Sequence, residues 1–124
     1  MVGMLDFVDP RDSVLIDVRP WGSFRQYTHD ERTTVKLIEV TAGGRLSLQR
    51  HVHRDELWIV LEGELRVQVG DRTTSARPGA EFFIPRGTLH RVEGGARGGR
   101  FLEICFGIFD EDDIERLEDA YGRT

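Results

Sequence analysis

Two histidines and a glutamine share one side of a predicted strand near the middle of the chain. In the segment 46–53, Gln49, His51 and His53 alternate with largely apolar residues, as the side chains of a β-strand do. Polar groups buried in a barrel must be satisfied, and a divalent cation satisfies imidazole nitrogens and amide or carboxylate oxygens together. The pattern therefore indicates a metal site. His53 is either a further pocket residue or an ordinary half-buried strand histidine.

Two longer patterns place glycine, proline and metal-ligating residues in separate segments. The pattern G-x5-[HQ]-x-H-x4-E-x6-G occupies residues 43–63, and the pattern G-x5-P-x-G-x2-H occupies residues 79–90. Both resemble the motifs of the cupin superfamily, which implies an all-β fold: a double-stranded β-helix, or jelly-roll barrel, holding one metal ion between the two segments. The resemblance maps the metal ligands onto Gln49, His51, Glu56 and His90.

The first motif has an alternative alignment that uses a different pair of ligands. If His51 and His53 are the histidine pair, only two residues separate His53 from Glu56, fewer than the three or four that the motif usually has between these positions. We therefore prefer the alignment that begins at Gln49. Mixed nitrogen and oxygen ligands suit Zn, Mn, Co, Fe or Ni, and the spacing does not choose among these ions.

Three longer segments resemble one family, the type II phosphomannose isomerases, usually found as the C-terminal domain of enzymes that also carry mannose-1-phosphate guanylyltransferase. The segments are 19–22, 46–58 and 111–123. The resemblance implies a metal-dependent isomerase that interconverts mannose 6-phosphate and fructose 6-phosphate through an enediol. The chain departs from the family pattern at three positions. These are Val52 and Leu57, where the family has histidine, and Cys105, where it has glutamine.

Such an isomerase needs a base that moves a proton between C1 and C2 and a cation that stabilises charge on the carbonyl oxygen. The candidate bases are His53, on the predicted ligand face, and Glu103, which shares a strand face with Cys105. A buried salt-bridge partner is the alternative reading of Glu103.

Arginine and lysine side chains are candidates for binding a sugar phosphate. Arg54 matches an arginine tied to activity in the resembling family, which implies anion binding or enediolate stabilisation. Its alternative is a surface partner for Asp55. Lys36 is predicted on the same strand face as apolar neighbours, so its side chain either enters the pocket or lies along the barrel rim. Arg19 and Arg86 flank pocket segments, where they either add positive potential or are solvated surface charges.

These residues must be positioned by short strands, because most of the chain falls into β-type runs separated by Gly, Pro and Asp. The runs are 13–18, 33–41, 46–53, 57–62, 64–69, 72–76, 80–85, 88–93 and 100–108. Only 111–120 is predicted as helix, with Asp110 as its cap and acids in its first turn. We predict a single domain over 1–124, with an N-terminal strand or arm at 1–18, a barrel at 19–109 and a C-terminal helix and tail at 110–124.

Strand 57–62 is apolar on both faces, so it is either central to two packed layers or part of a subunit interface, as in a homodimer. The net charge of −5 argues against nucleic-acid binding. A lone cysteine, no leader-like start and no long apolar run predict a cytoplasmic protein without membrane insertion. Two other functions remain open: a non-catalytic sugar- or metal-binding cupin, and a cupin enzyme acting on another small carbohydrate.

Overall fold

The computed structural model describes residues 8–123, and those residues form an all-β fold. The predicted fold class is confirmed in this respect. After a short 3-10 helix at Pro10–Ser13, the strands are β1 (Leu15–Arg19), β2 (Gly22–Gln26), β3 (Thr33–Val40), β4 (Leu48–Arg50), β5 (Arg54–Val69), β6 (Arg72–Ala76), β7 (Glu81–Ile84), β8 (His90–Gly107) and β9 (Glu115–Glu118).

Strands β5 and β8 are long antiparallel partners at the centre of a seven-stranded sheet. Each joins two of the predicted runs. The joint in β5 lies at Gly63, where the register shifts and the backbone has a φ of +74°. A side chain there would collide with the backbone of Gly98 on β8. Glycine therefore lets the paired strands bend without ending.

A separate two-stranded ribbon precedes this sheet. Strand β1 pairs with β2 through the turn at residues 20–21, so the Arg19 segment connects two strands, the second of which the sequence did not predict. The ribbon is tied to the sheet by Arg25, whose guanidinium contacts the Glu81 carboxylate at 3.0 Å. The first seven residues of the predicted N-terminal arm lie outside the described residues.

The core consists of two apolar clusters on opposite faces of β5. Trp58 and Val60 belong to the inner cluster, where the Trp58 ring lies 4.7 Å from that of Phe101. Leu57 and Ile59 belong to a second cluster, which Tyr27 helps to cover. Of the two predicted explanations for this doubly apolar strand, packing between layers of the same chain accounts for these four residues.

The predicted C-terminal helix at 111–120 is wrong, because the segment forms a turn, then strand β9, and then the start of a second turn. Strand β9 pairs with β4, and Arg50 opposite Glu115 makes a 2.9 Å ion pair. The Asp110 carboxylate does accept a hydrogen bond from a backbone N–H two residues later, but it caps a turn. Pairing with a distant strand outweighs the weak local helix preference. No helix among the described residues is long and apolar enough to cross a membrane.

Candidate metal centre

Three buried side chains, those of His51, Glu56 and His90, converge inside the sheet. His51 follows β4, Glu56 belongs to β5 and His90 begins β8. Glu56 Oε2 lies 3.3 Å from His51 Nε2, and Glu56 Oε1 lies 3.9 Å from His90 Nε2. The three residues are 2%, 1% and 0% exposed, respectively. Two distant segments of the chain therefore meet as the spacing of their ligand residues suggested.

Backbone carbonyls orient both imidazole rings. His51 Nδ1 lies 2.7 Å from the carbonyl oxygen of Asp113, and His90 Nδ1 lies 2.9 Å from that of Thr88. A carbonyl oxygen only accepts hydrogen bonds, so each Nδ1 carries the proton and each Nε2, on the side of the ring near Glu56, is left unprotonated. Burial lowers the pKa of both histidines, which keeps the rings neutral, as metal ligands must be.

The Glu56 carboxylate is held by two donors and remains ionised. Trp58 Nε1 donates to Oε1 at 2.9 Å, and Arg54 Nε donates to Oε2 at 2.8 Å. Burial alone raises the pKa of Glu56. The hydrogen bonds from Arg54 and Trp58 nevertheless help to hold its pKa below the usual value. The centre thus combines a fixed carboxylate with two neutral imidazoles.

These residues fit a divalent ion. A nitrogen and an oxygen bound to one tetrahedral zinc ion lie roughly 3.3–3.5 Å apart, close to the 3.3 Å and 3.9 Å separations observed. His90 Nε2 is buried and has no hydrogen-bond partner among the described residues. An unpaired buried acceptor of this kind is costly, and an ion bound between the three side chains would satisfy it.

The fourth predicted ligand, Gln49, lies beside the centre. It is directly opposite His90 in the pairing of β4 with β8. Its amide oxygen accepts a 2.7 Å hydrogen bond from the Ser47 hydroxyl, which occupies one of the two lone pairs of that oxygen. Gln49 is therefore near enough in the sheet to remain a predicted ligand.

Arg54 is buried inside the centre and is not a surface partner of Asp55. Its Nη2 atom lies 3.3 Å from His51 Nε2, and its guanidinium stacks 4.6 Å from the centre of the Phe109 ring. Asp55 instead pairs with Arg86 at 3.2 Å, on the protein surface. The buried guanidinium therefore supplies positive charge inside the centre, beside the Glu56 carboxylate.

Glu103 and Lys36 lie opposite each other on neighbouring strands β8 and β3. Burial, together with the charge of Glu56, raises the pKa of Glu103 to about 7. The Lys36 ammonium lies 4.4 Å from the centre of the Phe109 ring and contacts Glu111 Oε1 at 3.1 Å. Lys36 and Arg54 therefore both contact the ring of Phe109.

Two other sequence candidates lie away from the centre. The side chain of His53 is exposed, so its predicted place on the ligand face is wrong: β4 ends at Arg50 and the strand alternation does not continue to residue 53. Arg19 is exposed on the ribbon and pairs with Asp17 at 2.8 Å. Their predicted catalytic and substrate-binding roles gain no support from these positions.

Asp113 is the main site residue that the sequence analysis missed. Besides its carbonyl contact with His51, its carboxylate accepts hydrogen bonds from the backbone N–H groups of Val52 and His53, at 2.8 and 2.9 Å. Burial alone raises the pKa of Asp113, but these two donors hold it below its usual value. The contact between His51 and Asp113 spans 62 positions, so no motif spacing could have revealed it.

Comparison with solved structures defines the class of fold. A protein from Klebsiella pneumoniae subsp. pneumoniae described as having a double-stranded β-helix domain superimposes with a TM-score of 0.62. The alignment has 17% sequence identity and covers 74% of this chain and 80% of that one. The predicted double-stranded β-helix fold is thereby confirmed.

Comparison with known sequences defines the family. Residues 13–119 match the family described as "Mannose-6-phosphate isomerase C-terminal". The alginate biosynthesis protein AlgA of Pseudomonas aeruginosa is 44% identical over 111 residues, which are 86% of this chain and 22% of AlgA. The xanthan biosynthesis protein XanB of Xanthomonas campestris pv. campestris is 41% identical over 108 residues, covering 86% of this chain and 23% of XanB. The chain belongs to the mannose-6-phosphate isomerase C-terminal family. It spans about a fifth of the length of these relatives.

Proposed function

We propose that this chain is a metal-dependent sugar-phosphate isomerase that interconverts mannose 6-phosphate and fructose 6-phosphate. The observation that carries the proposal is the buried cluster of His51, Glu56 and His90, with Arg54 and Glu103 beside it. Membership of the family supports the same reaction class. As further parts of the proposal, the protein acts in the cytoplasm and forms a homodimer.

In this reaction His51, Glu56 and His90 would hold the divalent ion, with Gln49 as the predicted fourth ligand. The bound ion supplies Lewis acidity to the substrate oxygens on which negative charge develops. The chain itself must supply the proton transfer and bind the anionic parts of the substrate.

Glu103 is the residue best suited to move the proton. A carboxyl group with a pKa of about 7 is ionised in part at neutral pH, so it can accept a proton from one carbon and return it to the next. Arg54 stays protonated and therefore stabilises the enediolate or binds an anion. Lys36, close to Arg54 through Phe109, is the proposed cation for the phosphate.

The three residues that depart from the family pattern lie in different surroundings, and those surroundings bear on whether the chain is an isomerase or acts on another small carbohydrate. Leu57 is buried in the second apolar cluster and Val52 is exposed, so neither side chain belongs to the buried cluster of ligands. Cys105 does lie in the centre, 3.8 Å from Glu56 Oε2. This third departure favours the second candidate, a cupin that binds or transforms another small carbohydrate.

The direct experiment measures conversion of mannose 6-phosphate to fructose 6-phosphate by the purified protein, first with added Mn, Co or Zn and then with chelator. We expect turnover that depends on the ion. Absence of turnover with every ion, from folded protein that binds one, would contradict the isomerase proposal and favour the second candidate.

Two sets of variants separate the roles. Arg54→Ala is expected to lose turnover and keep the ion, whereas Arg72→Ala, a change at an exposed hairpin residue, should keep both. His51→Ala and His90→Ala are expected to abolish stoichiometric ion binding, with the exposed His29→Ala as their control. Unchanged ion content in both ligand variants would contradict the assigned site.

A further inference from the structure

A short segment between two strands covers the candidate metal centre. It consists of residues 108–113, which follow β8 and precede β9, and we call it the strap. Beneath it, the three ligand residues are at most 2% exposed and Glu103 is 6% exposed. A sugar phosphate cannot touch groups that are buried this deeply. The proposed reaction therefore requires some part of the cover to move.

We propose that the strap is a gate: its Phe109 ring closes the centre, and substrate enters when this ring leaves Lys36 and Arg54. This inference rests on the proposed function, because it concerns how a sugar phosphate reaches that site. Phe109 controls access in this account and takes no part in the proton transfer.

The closed strap contacts both of the cations proposed for the substrate. The centre of the Phe109 ring lies 4.4 Å from Lys36 Nζ and 4.6 Å from Arg54 Cζ. The carbonyl oxygen of Asp110 accepts a hydrogen bond from Arg54 Nη1 at 3.2 Å. Glu111 Oε1 accepts another from Lys36 Nζ at 3.1 Å. A phosphate group that binds to these cations must therefore displace contacts made by the strap.

The contacts of the strap are weaker than those that hold the strands around it. The side chains of Lys36 and Glu111 are 34% and 77% exposed, so water screens their ion pair. Cation–π contacts such as those of Phe109 are also modest in strength. Strands β5 and β8, in contrast, are paired along most of their length. The strap can therefore open while the barrel stays folded.

The strap is anchored at both of its ends. On one side β8 ends at Gly107, whose φ of +94° is a conformation that glycine adopts without strain. On the other side the Asp113 carboxylate accepts hydrogen bonds from two backbone N–H groups of the loop that follows β4. Only residues 108–112 lie between these anchors. A change in backbone direction at Gly107 can thus lift the Phe109 ring without unfolding β8 or β9.

The test measures how fast a reagent reaches Cys105, the single cysteine of the chain. Its thiol is 1% exposed and lies in the centre, 3.8 Å from Glu56 Oε2. The whole protein, freed of ions with chelator, is treated with iodoacetamide, and labelling is followed by mass spectrometry. Burial raises the pKa of the Cys105 thiol, so the reaction is slow and its rate follows the population of the open state.

Phe109→Ala should be labelled at least about tenfold faster than the unmodified protein, because it loses two cation–π contacts, one of them to the buried Arg54. Ile108→Ala is the matched control within the strap, since Ile108 is 60% exposed, and its rate should stay within about twofold. Phe109→Leu keeps an apolar side chain but loses the ring, so it should also be labelled faster. It decides the question if Phe109→Ala does not fold.

All variants are compared at a temperature where circular dichroism shows them to be folded. Labelling of the Phe109 variants at the unmodified rate would overturn the proposal, as would an equal acceleration in Ile108→Ala. The assay needs neither ion nor substrate, so it is independent of turnover. Faster labelling of the Phe109 variants, with no isomerase turnover by the unmodified protein, would support the gate and contradict the isomerase. Turnover with unchanged labelling would do the reverse.

Discussion

Replacing Arg54 by methionine should strongly destabilise the protein when no divalent ion is bound. Arg54 is 6% exposed and Glu56 is 1% exposed, and their side chains meet at 2.8 Å. Removing one partner of a buried ion pair costs about 3–5 kcal/mol, because the other charge stays buried. Trp58 still donates to Glu56, so we expect the lower end, about 3 kcal/mol. For a chain of this length that corresponds to a fall of roughly 10–20 °C in Tm.

The assay is thermal unfolding followed by circular dichroism at neutral pH, with chelator and then with saturating Zn or Co. Arg86→Met is the matched control, because the Arg86 side chain is 53% exposed and pairs with Asp55 on the surface. It should cost less than about 1 kcal/mol. A bound ion supplies the positive charge that Arg54→Met lacks, so the ion should stabilise this variant more than the unmodified protein.

Two results would refute this reasoning about the Glu56 charge. If Arg54→Met with chelator unfolds within about 1 kcal/mol of Arg86→Met, the guanidinium does not compensate the buried carboxylate. If the ion raises the Tm of Arg54→Met no more than that of the unmodified protein, the ion and Arg54 do not share Glu56.

Three further predictions concern groups around the centre. Burial and a neighbouring carboxylate raise the pKa of Glu103 to about 7, so the ionisation of Glu103 in the unfolded state lowers the stability of the protein as pH rises from about 4.3 to 7. Glu103→Gln should therefore become more stable relative to the unmodified protein over that range in urea unfolding, and a difference independent of pH would contradict this. Asp113 has a lowered pKa, so its hydrogen bonds stabilise the fold above about pH 4 and are lost as pH falls. Asp113→Asn should lower the free energy of unfolding by about 1 kcal/mol at pH 7 and by little near pH 2, and an equal loss at both pH values would count against the carboxylate's role. Glu111→Gln should free Lys36 and lower the KM for mannose 6-phosphate roughly two- to fivefold, whereas Glu115→Gln, which removes the partner of Arg50, should leave the KM unchanged. Equal KM values in both variants would remove Lys36 from the phosphate site.

The ligand residues were predictable because each lies in a short segment whose geometry is local. In the first motif, His51 and Glu56 lie on either side of a short loop between two strands, so their spacing limits where their side chains can go. His90 follows the Pro-x-Gly turn at the start of β8, which places it in the same way. The all-β fold was predictable for a similar reason, since alternation and turn residues act over a few positions.

The surroundings of the ligands depend on contacts that no local rule covers. The segment after Asp110 has helix-like composition, yet it forms β9 because β4 offers unpaired backbone groups some 65 positions away, where Arg50 contacts Glu115. His53 leaves the ligand face because its loop is held by the Asp113 carboxylate.

The amino-acid sequence by itself therefore determined the class of fold, the family pattern and the residues able to bind an ion. Only the tertiary structure decided which charges accompany that ion: Arg54 inside the centre, Glu103 with its raised pKa, and the thiol of Cys105 beside Glu56. The physical reason is that burial and electrostatic coupling depend on which strands become neighbours. Pairing of β5 with β8, which places Glu56 opposite Cys105 from 49 positions away, creates an environment that neither strand encodes alone.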